Sequence, residues 1–140
     1  MSLKRAAILL VLVAGVGIAG YVHFGKSDNP VGSGPPIVAV SVPATLSARA
    51  QAGQKTYEAN CASCHGGNAA GQDGLAPPLV HVIYEPGHHG DESFQRAVAL
   101  GVRAHHWPFG DMPPVEGLSR SDVAEIIAYI RELQRANGIQ

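Results

Sequence analysis

Cys61-Ala62-Ser63-Cys64-His65 is the stretch around which the 140-residue chain is organised. Two thiols two residues apart, followed directly by an imidazole, form C-x-x-C-H, the attachment signature of c-type haem. The spacing has a chemical reason. One helical turn presents both sulfurs to the two vinyl groups of the porphyrin, and each becomes a thioether. The next residue, His65, then lies under the iron and offers it a ring nitrogen. The competing readings are a redox dithiol and half of a zinc site. The chain has no third cysteine to complete a Cys-rich zinc site, and it lacks a thioredoxin-like βαβ pattern.

Working outward, a first helix is expected from Leu46 to about Cys61, with Ala48, Ala52, Gly53 and Tyr57 on one face. Gly53 costs a helix interior about 1 kcal/mol against Ala, which suits a place where another backbone comes close. After His65 comes a glycine-rich loop, Gly66 to Gly74, then Leu75-Ala76-Pro77-Pro78-Leu79. The loop lacks the G-x-x-x-x-G-K-[ST] order of a phosphate cradle, so it is expected to wrap the haem edge. The proline-flanked turn can supply a carbonyl that orients the ring of His65.

Residues 81–90 read as irregular. A helix is expected from Asp91, as N-cap, to about Val102, burying Phe94, Ala97, Val98 and Gly101. The last helix has the clearest pattern. Ser119 caps it, with Asp122 in a capping-box position. Val123, Ile126, Ile127, Ile130 and Leu133 form an apolar stripe, with Tyr129 packing beside it, and Asn137-Gly138 ends the helix.

The sixth iron ligand is expected to be Met112, in the rigid loop Gly110-Asp111-Met112-Pro113-Pro114. The other candidates are His81, His88, His89, His105 and His106. A second metal on the paired histidines is not expected, because adjacent side chains rarely face one ion.

Upstream, Lys4 and Arg5 precede an apolar run from Ala6 to Gly25, interrupted by a single titratable residue, His23. Twenty residues reach roughly 30 Å as a helix, enough to span a bilayer. Residues 1–25 therefore read as an uncleaved transmembrane anchor, with the rest of the chain outside, in the periplasm or its equivalent. The alternative is a signal peptide cut after Gly17-Ile18-Ala19. Residues 26–44, rich in Gly and Pro, read as a flexible linker, and residues 45–140 as the folded domain. That domain has seven Lys and Arg, with Lys55 its single lysine, against ten Asp and Glu. Nucleic acid is thereby excluded as a partner, and so is a lysine ring steering toward an acidic protein.

Taken together, Gly53 with Tyr57, Cys61-x-x-Cys64-His65-Gly66, Pro77-x-Leu79, Met112-Pro113 and the helix from Ser119 resemble the class I c-type cytochromes. The resemblance implies an all-α cytochrome c fold, with about three main helices around one covalently bound haem c. It implies that Gly53 and Tyr57 meet the last helix near Ile126 to Ile130, and that the Pro77 carbonyl accepts from His65. His81 departs from the pattern, standing where many members carry glycine. With His65 and Met112 as axial ligands the iron has no open position for substrate, so the expectation is a one-electron carrier rather than an enzyme. It would shuttle electrons in a respiratory or other periplasmic chain. The alternative is an electron-transfer subunit of a larger dehydrogenase or oxidase. Pro77, Pro78, Trp107, Pro108, Phe109, Pro113 and Pro114 are candidates for an apolar rim facing a redox partner, although Trp107 can equally pack on the haem or a propionate.

Overall fold

The computed structural model describes residues 34–140. The expected anchor over 1–25 and the first part of the linker lie outside the described residues. Among the described residues no helix is long and apolar enough to cross a membrane.

The helices are α1 (Ala48–Asn60), the single turn α2 (Ala62–His65), α3 (Asp91–Leu100) and α4 (Arg120–Ala136). Among the described residues there is no β-strand, only isolated antiparallel bridges between Gln72 and Ala76 and between Val102 and Met112. This is the all-α arrangement expected from the sequence.

Helix α1 starts where the Ser47 hydroxyl accepts from the Ala50 amide at 3.2 Å, and its interior is mostly Ala, Gln, Lys and Glu, which lose little entropy in a helix. Its buried residues are Ala50, Gly53 and Tyr57. Ala48, expected on that face, is exposed, and Ala50 takes its place. Helix α4 carries the full capping box: Ser119 Oγ accepts from the Asp122 amide, and Asp122 Oδ2 accepts from the Ser119 amide. Its whole predicted stripe is buried, and Tyr129 and Leu133 are inaccessible to solvent. Each such side chain contributes about 1.5–3 kcal/mol by leaving water.

The two helices cross with almost no space between backbones. A Cβ at Gly53 would collide with the Glu125 carbonyl. The rings of Tyr57 and Tyr129 lie 5.6 Å apart beside this point. The crossing fixes where α1 ends, and therefore where Cys61 begins the attachment turn.

Helix α3 starts one residue earlier than expected. Gly90 is its N-cap, and Asp91 stands in the first turn with its carboxylate accepting from Arg131 Nε at 3.0 Å. Arg131, in the second half of α4, is a buried tie. It donates to the carbonyls of Tyr84 and His89, both at 2.6 Å, and to Gln134 Oε1 at 2.7 Å. Gln134 donates to the carbonyls of Leu79 and Tyr84. The irregular stretch from 79 to 90 is thus hydrogen-bonded to α4 through side chains.

The described part of the expected linker differs from a free spacer. Ile37 and Val38 donate to the Ala70 carbonyl, and Asp73 donates to the Pro35 carbonyl. Asn137 pairs with the Ser41 backbone in both directions, at 2.9 and 2.8 Å. Val40 packs against the core cluster. Residues from about 34 onward are part of the folded unit, so its boundary falls before Thr45. The prolines keep the segment irregular, and its backbone groups find partners on the domain instead of in a ladder.

Candidate functional site

Cys61 joins α1 to the turn α2, and its carbonyl accepts from the Cys64 and His65 amides at 3.1 and 2.9 Å, so the three residues stand one turn apart on the same side. Two outside contacts hold the turn. The buried Gln72 amide donates to the carbonyls of Ala62 and Ser63 at 3.2 and 2.9 Å. The Tyr57 hydroxyl donates to the Gly66 carbonyl at 2.8 Å. Beyond it, Asn68 and Ala69 hold left-handed φ angles of 54° and 59°, a conformation that costs a residue with a side chain about 1–2 kcal/mol. Tyr129 donates to Asn68 Oδ1 at 3.2 Å, and Ala69 is buried. The loop is held in this shape from α4.

Cys61, Cys64, His65, Pro77 and Met112 all line one cavity of about 640 Å³, bounded chiefly by apolar side chains from α3, α4 and the loops. Phe94, Ala97, Val98 and Gly101 face it too, which is why the face of α3 predicted as core is only half-buried. His89, His105 and His106 also reach the lining, whereas His81 and His88 do not. His81 instead accepts from the Ile83 amide at 3.2 Å and caps a short turn over Val82–Tyr84.

His65 Nδ1 donates to the Pro77 carbonyl at 2.9 Å, which leaves Nε2 with its lone pair free. Burial pulls the ring below the usual imidazole range, against the carbonyl, which raises it. The imidazole is therefore neutral near pH 7, the form that ligates metals. Burial, and then the neighbouring Cys64 sulfur, pushes the Cys61 thiol up to about 11. It stays a protonated thiol, unlike the thiolates of zinc sites. Neither cysteine is in a disulfide.

Met112 is set by its backbone: its amide and carbonyl pair with those of Val102, both at 2.9 Å. Its side chain is half-buried, whereas His105 and His106 are exposed. His105 also has its Nδ1 bonded to the Arg103 carbonyl at 2.8 Å.

The cavity fits a haem. Two free thiols and a neutral imidazole share its wall, and the lining is otherwise mostly apolar. Trp107 adds a buried indole N–H that lies toward the Tyr84 hydroxyl without reaching full hydrogen-bond geometry, so the donor is available to an acceptor such as a propionate oxygen. Arg96 and Arg103 bring positive charge to the same wall. No sequence pattern marked these two arginines, because their place depends on where α3 ends and the chain turns. Of the expected rim, Pro108, Pro113 and Pro114 are exposed, and Trp107 stacks on Phe109 at 5.8 Å. Pro78 is fully buried and leaves the rim.

Helices, attachment turn and cavity together define a monohaem c-type domain. The cytochrome c family model matches residues 50–134, more than half of the chain, and the chain belongs to that family. A search of curated proteins found no match. The family binds covalently attached haem c with its iron, and the chain is accordingly a haem-based electron carrier.

Proposed function

We propose that the protein is a membrane-tethered one-electron carrier with His65 and Met112 as axial iron ligands, its haem domain on the periplasmic face. The observation that carries the reading is the shared cavity: the attachment cysteines, His65 and Met112 come from separate segments and line one apolar space. The haem, when bound, supplies a one-electron couple between ferric and ferrous iron.

The chain's own residues do the rest. Cys61 and Cys64 hold the group covalently. The Pro77 carbonyl fixes the tautomer of His65 and aims its free nitrogen. The Val102 pairing holds Met112 at a set depth in the wall. Apolar residues from α3 and α4 exclude water, which lowers the reorganisation accompanying each change of charge. With His65 and Met112 both given to the iron, no site would be left for a substrate. The apolar run over 6–25 supports the tether, and Lys4 and Arg5 before it support the orientation. The partners are redox proteins that meet the cavity rim over a small surface.

The test is carbon monoxide binding. Ferrous protein purified in detergent should keep its spectrum under carbon monoxide, and salt-washed membranes should retain the haem. A spectrum that shifts at once would show an open or displaceable ligand and point to gas chemistry instead. Stable co-purification with other subunits would make the protein part of a larger redox complex.

A further inference from the structure

Four histidines form a group that electron transfer does not use. His88 and His89 come from the loop before α3, and His105 and His106 from the segment after it. Their rings converge: 4.2 Å between centroids for His105 and His106, 4.8 Å for His88 and His89, 5.3 Å for His89 and His106, and 5.5 Å for His88 and His106. From each of His88, His89 and His106 one ring nitrogen lies within 4.8 Å of the others. The expectation that adjacent histidines cannot face one ion fails for a local reason. The amides of His88 and His89 both donate to the Glu85 carbonyl, at 3.1 and 2.8 Å, and this tight turn brings both rings to one side.

We infer that His88, His89 and His106 form a binding site for a divalent first-row transition-metal cation at the edge of the haem cavity. Three imidazoles with no carboxylate among them suit copper or zinc, and the order of affinities places Cu²⁺ above Zn²⁺. Metal–nitrogen bonds of about 2.1 Å put any two donors no more than about 4.2 Å apart. The three nitrogens therefore need only a small side-chain rotation to close on one ion, and His88 and His106 are exposed and able to make it. His89 is already oriented as ligating histidines are. Its Nδ1 donates to the Ile83 carbonyl at 2.6 Å, leaving Nε2 as the donor. His89 and His106 also line the cavity, which puts the cation beside the haem site without using a residue assigned to it.

The test uses the haem-loaded full chain in detergent, dialysed against Cu²⁺ or Zn²⁺ and then against buffer. Elemental analysis should find one equivalent of metal beyond the iron, and titration calorimetry should give the tighter constant for Cu²⁺. The Cu²⁺ spin-resonance spectrum should show coupling to several nitrogens. His88→Asn and His106→Asn should each weaken binding at least about tenfold, the scale set by loss of even a supporting contact. An unchanged haem spectrum confirms that each variant is folded. Absence of a second metal, or variants that bind as tightly as the parent, would overturn the assignment.

Discussion

The α1–α4 crossing and the segment from Gly101 to Leu118 face the same cavity, yet they are built on different terms. The crossing is a contact of backbones with no room for a single added carbon, enclosed by Tyr57, Tyr129, Ile130 and Leu133. The opposite construction is a chain of single hydrogen bonds. Val102 pairs with Met112, Ala104 donates to Asp111 at 2.8 Å, and Val115 donates to Val98 at 2.9 Å. Most side chains between them are exposed. The rigid side presents the attachment turn, and the lightly tied side presents Met112, the ligand proposed above. A fold built this way could release that ligand without losing the haem.

Substitutions can separate the two regions. Gly53→Ala should have the largest effect, about 3 kcal/mol of stability, because the two helices must move apart along their length. Chemical denaturation should show it, and a near-neutral result would mean that the crossing is looser than described. Arg131→Ala should follow at about 2–3 kcal/mol. It strands the His89 carbonyl and leaves the space of a buried side chain. Haem attachment should persist, since α1 and α2 do not depend on that arginine.

Gly101→Ala makes the corresponding change on the lighter side. Gly101 has φ 73°, and a Cβ there would lie 2.5 Å from the Met112 carbonyl. The cost should be about 2 kcal/mol, because φ 73° with ψ −179° is a conformation essentially confined to glycine, with a visible consequence: the Val102–Met112 pairing opens, and ferrous protein binds carbon monoxide. A variant that still excludes carbon monoxide would show that this segment is as firmly held as the crossing. Ser119→Ala should be the mildest, about 1 kcal/mol from the lost cap, with no change at the haem.

The rigid side was the legible one. Gly53, Tyr57, the stripe on α4 and the Ser119–Asp122 cap are encoded by spacing within single helices, and spacing is what a sequence displays. Arg131 and Gln134 were missed because their partners are carbonyls of an irregular segment some 40–55 positions away. Nothing in local pattern marks a carbonyl as needing a donor. The attachment of residues 34–44 was missed for the same reason: a Gly- and Pro-rich stretch looks free until its backbone partners are known. At the site, Cys61, Cys64, His65 and Met112 could be chosen by chemistry alone, and all four line one cavity. The convergence of the two histidine pairs could not be chosen that way. It depends on the turn at Glu85 and on the path of the chain after α3.

The proposed one-electron centre depends most on Met112 as its second axial ligand. An optical redox titration of the purified parent and of Met112→His tests it directly. The parent should follow a single one-electron wave, and the variant should keep its haem but titrate at a lower midpoint, because imidazole favours ferric iron more than a thioether does. An identical midpoint and spectrum in the two proteins would show that Met112 does not ligate the iron.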